Sequence, residues 1–82
     1  MKIRYSNDAL RSLRRSNKRE LIRRKIEEYA ENPDHHSANV KRLVGREEFR
    51  LRVQDWRVIF RLEEGVVLID RVCPRGSVYE VY

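Results

Sequence analysis

The spacing of hydrophobic residues changes along the chain from the period of a strand to the period of a helix, and then back. Residues 2–5 alternate between polar and apolar side chains, which predicts a short first strand. Apolar residues then recur at helical spacing, which predicts two amphipathic helices. The first helix follows Ser6, a residue type that caps helices, and the second begins at Asn17 and ends at Asn32-Pro33. Asn17 and Glu20 have the spacing of a capping box, which supports that start.

The second half of the chain carries strand patterns. Residues 33–47 are polar and irregular, and they are interpreted as a loop that closes with Gly45. Three runs rich in alternating or β-branched residues follow, at positions 49–53, 56–61 and 66–73. Their short connections favour antiparallel pairing, and Pro74 should end the last strand. The order β-α-α-β-β-β therefore predicts an α+β fold, with the two N-terminal helices packed on one face of a small, mainly antiparallel sheet.

Length and charge narrow the possible functions. The 82 residues are enough for a single domain, 1–82. Nineteen Lys and Arg against thirteen Asp and Glu give a net charge of +6, which favours a polyanionic partner such as nucleic acid. The sequence shows neither a membrane-length apolar run nor a signal-peptide pattern, so we expect a cytoplasmic protein without a membrane partner. The single cysteine excludes an intramolecular disulfide.

The pairing of the second and third predicted strands determines which side chains share the sheet face that the helices leave uncovered. A two-residue turn at Gln54-Asp55 would place Arg52 opposite Arg57, with Arg50 one diagonal step away. The apolar residues of these strands would then face the helices. In one interpretation the arginines are solvated and pair with nearby carboxylates, those of Glu47, Glu48 or Asp55. In the other they bind an anion, because Arg presents fixed N–H forks to phosphate oxygens.

The segment after the last strand adds two candidates. Gly76 permits a sharp turn that could bring Arg75 and Tyr79 back over the sheet. A tyrosine near arginines can stack on a base or move a proton, and the alternative is that it packs against the sheet edge.

Other side chains carry weaker signals. Five further basic residues are candidates for RNA binding, although a solvated surface explains the helical ones equally well: Arg11, Arg15, Arg19, Lys41 and Arg42. The adjacent His35 and His36 belong to no recognisable ligand set, so we expect no metal and no cofactor. Cys73 is interpreted as a small apolar filler rather than a nucleophile.

Several segments resemble the RelE/ParE toxin superfamily of bacterial and archaeal toxin–antitoxin systems: Leu43-Val44-Gly45, residues 49–53 and residues 55–60. Arg75, followed four positions later by Tyr79, fits the family's end motif. The resemblance implies a RelE-like fold. For the RelE branch it also implies a metal-independent endoribonuclease, an mRNA interferase that inhibits translation. Such an enzyme cleaves mRNA at the ribosome by attack of a ribose 2′-hydroxyl on the adjacent phosphate.

The resemblance also implies the catalytic residues Arg50, Arg52, Arg57, Arg75 and Tyr79. The arginines would bind phosphate and stabilise charge, and Tyr79 would stack on a base or transfer a proton. RelE has lysines at the positions that match Arg50 and Arg52. Because arginine stays protonated, it is a poor general base, and proton removal would fall to Tyr79 or to groups of the ribosome.

The partners implied are a cognate antitoxin, the ribosome and mRNA, with operator DNA bound only through the antitoxin complex. Two alternatives remain open. One is a ParE-like inhibitor that acts by binding DNA gyrase. The other is a catalytically degenerate toxin that binds only its antitoxin and operator DNA.

Overall fold

A computed structural model describes residues 1–76, apart from the side chains of His36 and Ser37. Its elements in chain order are β1 (Lys2–Tyr5), α1 (Asn7–Arg15), α2 (Arg19–Glu31), a 3₁₀ helix (Pro33–Asn39), β2 (Val40–Arg42), β3 (Phe49–Val53), β4 (Trp56–Glu63) and β5 (Val66–Pro74). The α+β class is confirmed. Within the described range, no helix combines the length and apolarity that a membrane span requires.

The five strands form one sheet in the order β1-β5-β4-β3-β2. β1 runs parallel to β5, and the other neighbours are antiparallel, so the mainly antiparallel sheet is confirmed. The prediction of a loop over residues 33–47 is wrong in part, because this stretch contains the 3₁₀ helix and β2. Three residues are too few to show an alternating pattern, and β2 forms by pairing Val40 with Leu51 along the edge of β3.

The two helix starts differ in how they are capped. Ser6 caps α1 as predicted, since the backbone N–H of Ala9 donates to the Ser6 hydroxyl oxygen at 3.0 Å. The capping box predicted at Asn17 is wrong, because α2 begins at Arg19 without a side-chain cap. The buried Ser16 instead accepts a hydrogen bond from the backbone N–H of Lys18 at 3.0 Å, which satisfies a donor in the tight link between the helices.

Both helices cover one face of the sheet and enclose the main core. Phe60 of β4 lies at its centre, 1% exposed, with its ring 5.5 Å from that of Phe49 and 5.0 Å from that of Tyr29. The helices contribute apolar side chains that are almost fully buried, among them Ala9, Leu13, Ile22 and Ile26. Neither α1 nor α2 covers the opposite face of the sheet, which is called the open face below.

The turn between β3 and β4 has the predicted length. Val53 pairs with Trp56 across Gln54 and Asp55, and Arg52 pairs with Arg57. Gln54 adopts a left-handed backbone conformation with φ 53°, which non-glycine residues rarely adopt and which closes the turn in two residues. The register therefore places the β3 and β4 arginines as expected.

Candidate functional site

Three arginines of β3 and β4 lie together on the open face. Alternation along the strands directs Arg50, Arg52 and Arg57 away from the helices, because their neighbours Leu51, Val53 and Val58 fill the core. With Lys41 of β2 they line a shallow cavity of about 330 Å³, closed on one side by the end of the 3₁₀ helix. The predicted grouping of these arginines is therefore present in the structure.

The contacts of these arginines differ. The Arg57 guanidinium donates from Nη1 to the carbonyl oxygens of Gln54, at 2.7 Å, and of Trp56, at 2.9 Å, which fixes it against the hairpin. Arg52 donates from Nη2 to Oδ1 of Asn39 at 3.3 Å. Neither Arg50 nor Arg52 forms an ion pair with any residue in the range 1–76, so the interpretation in which neighbouring carboxylates neutralise them fails there.

Arg75 lies at the end of the same sheet, just past β5. Its backbone N–H donates to the carbonyl oxygen of Asp55 at 2.8 Å, and its Nη1 is 3.9 Å from Oδ1 of Asp55. It lines a second cavity, of about 480 Å³, together with Arg52 and Arg57. Arg52 and Arg57 thus border both cavities and connect them. Tyr79 lies outside the described residues, so its predicted place beside these arginines stays a prediction.

The candidate RNA-binding residues on the helices lie elsewhere. Arg11 and Arg15 belong to α1 and Arg19 to the start of α2, in the layer that covers the other face of the sheet. Arg11 is also 3.6 Å from Oδ1 of Asp8. The structure therefore does not bring these three together with the strand arginines.

The two candidate RNA-binding residues on β2, Lys41 and Arg42, point to opposite sides of the sheet. Lys41 pairs with Arg50 across β2 and β3 and lines the arginine cavity. Arg42 pairs with Phe49, points to the other side of β2, and donates from Nε to the carbonyl oxygen of Arg46 at 3.3 Å. Of the two, only Lys41 adds its charge to the cavity.

Arg71 of β5 also lies on the open face, and sequence reasoning missed it. If the register that begins at Glu63 and Val66 continued unbroken, Arg71 would pair with Val58 and point into the core. A β-bulge near Ile59 shifts the pairing, so that Arg71 pairs with Ile59 and faces outward. The signal was available, because an arginine at a position that a regular register would bury predicts a bulge.

A small apolar cluster lies beneath these cations. Ile59 is fully buried on the open face and packs with Cys73 and with the partly buried Leu43. Burial raises the pKa of the Cys73 thiol, and the positive charges of Arg71 and Arg57 act in the opposite direction. Cys73 thus remains a protonated thiol at neutral pH, as expected for an apolar filler.

Another arginine of the open face, Arg61 of β4, is neutralised by carboxylates. The Arg61 guanidinium donates to both carboxylate oxygens of Asp70, at 2.9 and 3.3 Å, and to Oε1 of Glu63 at 2.9 Å. The hydrogen bonds that Arg61 donates to Asp70, and the negative charge of Asp70, raise the pKa of Arg61. Nowhere in residues 1–76 do three or more His, Cys, Asp or Glu side chains form a group that could hold a metal ion.

The sequence from residue 3 to residue 79 matches the model of the family described as ParE toxin of type II toxin-antitoxin system, parDE. The chain belongs to the RelE/ParE toxin superfamily. It is a toxin of a type II toxin–antitoxin system, as the resemblance implied. No curated protein sequence matches the chain.

Solved structures share the fold of this toxin. The isolated E. coli RelE toxin is 20% identical with a TM-score of 0.71, and the match covers 99% of this chain and 98% of that one. RelE in the archaeal RelE-RelB complex from Pyrococcus horikoshii OT3 is 20% identical with a TM-score of 0.76, covering 92% and 94%. YafQ from E. coli strain BL21(DE3) is 14% identical with a TM-score of 0.69, covering 94% and 96%. At these identities the likeness establishes the fold alone, and the predicted RelE-like fold is confirmed.

Proposed function

We propose that this toxin is a RelE-like, metal-independent endoribonuclease that cleaves mRNA at the ribosome and thereby inhibits translation. The observation that carries the proposal is the cavity on the open face, where Arg50, Arg52, Arg57 and Lys41 converge. A convergence of guanidinium groups without carboxylates to neutralise Arg50 and Arg52 in the described range suits an anion such as a phosphodiester. The membership in a toxin family and the RelE-like fold support the same proposal.

The reaction would be an in-line transesterification. The ribose O2′ attacks the adjacent phosphorus, a new O2′–P bond forms, and the P–O5′ bond breaks to leave a 2′,3′-cyclic phosphate and a 5′-hydroxyl. The proton of the 2′-hydroxyl is removed, and O5′ gains a proton as it leaves. Negative charge grows on the phosphoryl oxygens in between, which is where preorganised guanidinium donors lower the barrier.

The arginines cannot serve as the base, because a guanidinium stays protonated at physiological pH. Arg57, whose Nη1 donates to two carbonyl oxygens of the hairpin, would contribute its positive charge beside the phosphate. Arg50 and Arg52 would stabilise charge. Arg75 would contact the strand from the adjoining cavity, and Tyr79 would stack on a base or transfer the proton.

Solved complexes of similar toxins support a proposal for the partners. RelE has been solved in complex with the antitoxin RelB from E. coli and from archaea, and we propose a cognate antitoxin for this toxin as well. Operator DNA would be bound only through that complex. The substrate would be mRNA on cytoplasmic ribosomes.

The test is mRNA cleavage in a translation extract, with new mRNA ends mapped by primer extension. The double variant Arg50→Ala and Arg52→Ala should cleave about 100-fold more slowly than wild type, because two donors to the developing charge are lost. The matched control removes the same charge from the exposed helix surface, by Arg14→Ala and Arg24→Ala, and should cleave like wild type. Equal cleavage by both double variants would contradict the proposal.

A second candidate function is inhibition of DNA gyrase by binding, without RNA cleavage. The family model that matches the chain favours it, since that family is described as the ParE toxin. A supercoiling assay separates the two functions. Inhibition of gyrase at toxin concentrations that leave mRNA intact would replace the ribonuclease with this alternative.

A further inference from the structure

We propose that Arg71 is an additional RNA-binding residue, and that it extends a row of cations along which the backbone of a single-stranded RNA crosses the sheet. The inference rests on the proposed function for its ligand, RNA. It adds a residue and a direction that the arginine cavity alone does not define.

The register of the sheet defines the row. Lys41 pairs with Arg50, Arg50 with Ile59, and Ile59 with Arg71, so the four positions form one line across β2, β3, β4 and β5. All four lie on the open face. Neighbouring strands are about 5 Å apart, so the Cα atoms of Arg50 and Arg71 are separated by roughly 10 Å. Two guanidinium groups on flexible stems at that spacing can hold successive phosphates of one extended strand.

The centre of the row is apolar and closed. Ile59 is fully buried between the two arginines, and Leu43 and Cys73 pack against it. Cys73 pairs with Arg57 across β4 and β5 and follows Arg71 by two residues, so all three positions share the open face. The charges of Arg50 and Arg71 therefore lie on either side of an apolar centre.

Arg61, on the same face, shows how carboxylates neutralise an arginine here. Arg61 is held by Asp70 and Glu63 through three hydrogen bonds. Arg71 follows Asp70 directly in the chain, yet within residues 1–76 it has no ion-pair partner, although it is only partly exposed. A partly buried guanidinium beside other positive charges is unfavourable, and an anionic ligand relieves that cost.

The outward direction of Arg71 is fixed by the bulge. Asp70 is the extra residue, and its carbonyl oxygen accepts a hydrogen bond from the Ser6 hydroxyl at 2.8 Å while its carboxylate binds Arg61. The bulge is thus held from the helix side and from the open face at once. The same contacts that neutralise Arg61 keep Arg71 pointing to solvent.

The experiment measures binding of the purified toxin to an oligouridylate of about 12 nucleotides, within the usual size range of single-strand sites, over a series of salt concentrations. Arg71→Gln should weaken binding about tenfold. It should also reduce the slope of log affinity against log salt by about 0.7, the value for one phosphate contact to a single strand. The control Arg4→Gln removes the same charge from β1 on the same face, beyond the ion pairs of Arg61. It should leave the slope unchanged.

The outcomes separate the two proposals. A slope for Arg71→Gln equal to that of Arg4→Gln, or a wild-type toxin that does not bind the oligouridylate, would overturn the role of Arg71. Absence of mRNA cleavage in the translation extract, with the slope difference intact, would overturn the ribonuclease and leave the role of Arg71 standing. Thermal unfolding checks each variant, and Arg71→Met, which keeps an apolar stem beside Ile59, replaces Arg71→Gln if that variant does not fold.

Discussion

The two faces of β4 carry different kinds of side chain, although they alternate along the same eight residues. On the covered face, Val58 and Phe60 are buried in the core beneath the helices. On the open face, Arg57 lies directly opposite Arg52, a pairing of like charges that destabilises a sheet. The covered face therefore accounts for the stability of the fold, whereas the open face accepts a cost that stability alone does not explain.

The largest change in the free energy of unfolding should come from a substitution on the covered face. Phe60→Ala removes a ring that is 1% exposed and packed against Phe49 and Tyr29, and it should lower the free energy of unfolding by about 3–5 kcal/mol. Denaturant titration measures this. Arg50→Gln, on the other face, should change it by less than about 0.5 kcal/mol. Similar losses for both variants would mean that the two faces do not divide stability and function.

A smaller change in the free energy of unfolding should appear at alkaline pH. Burial raises the pKa of Cys73 above 9.0 and the pKa values of Tyr5 and Tyr29 above 10.0. In the unfolded chain these groups return to their ordinary values, so the unfolded state loses protons first as pH rises. The free energy of unfolding should therefore be unaffected by these groups below about pH 8 and should fall progressively above about pH 9.

The contribution of Cys73 to this alkaline loss of stability can be measured separately. Cys73→Ala should remove the earliest part of that alkaline decline and leave the part that belongs to the tyrosines. Denaturation series between about pH 7 and pH 11 would show it. A free energy of unfolding that stays constant over this pH interval would mean that burial does not raise the pKa values of Cys73, Tyr5 and Tyr29.

The smallest effect should come from relieving the like-charge pair. Arg52→Gln should raise the free energy of unfolding by a few tenths of a kcal/mol, because Arg57 then faces a neutral side chain. The same variant should cleave mRNA more slowly. Arg14→Gln, on the outer surface of α1, is the control for both measurements. A variant at Arg52 that is less stable than this control would contradict the assigned cost.

The parts of the fold with strong local signals could be predicted from the sequence. β1, β3 and the cap at Ser6 fall where the pattern placed them, and the two-residue turn fixed the register of the arginines. β2 could not be recognised, because three residues carry no period and its pairing depends on the edge of β3. The start of α2 was misplaced because the buried Ser16, not Asn17, supplies the local hydrogen bond.

Only the part of the candidate site that lies on the β3–β4 hairpin could be predicted from the sequence. Arg50, Arg52 and Arg57 are linked by a short turn, so their shared face follows from alternation. The position of Arg71 depends on the bulge at Asp70, which is held by Ser6 from the other end of the chain. A contact between residues so distant in sequence leaves no local pattern, although a charge at an otherwise buried position gives an indirect sign.

The pairing of β1 with β5 has a consequence for the order in which the sheet can assemble. Lys2 to Tyr5 are synthesised before Val66 to Ile69, so β1 cannot pair until β5 has been made. Arg71 lies on that same late strand. A growing chain therefore carries the arginines of β3 and β4 before β5 adds Arg71 and completes the sheet.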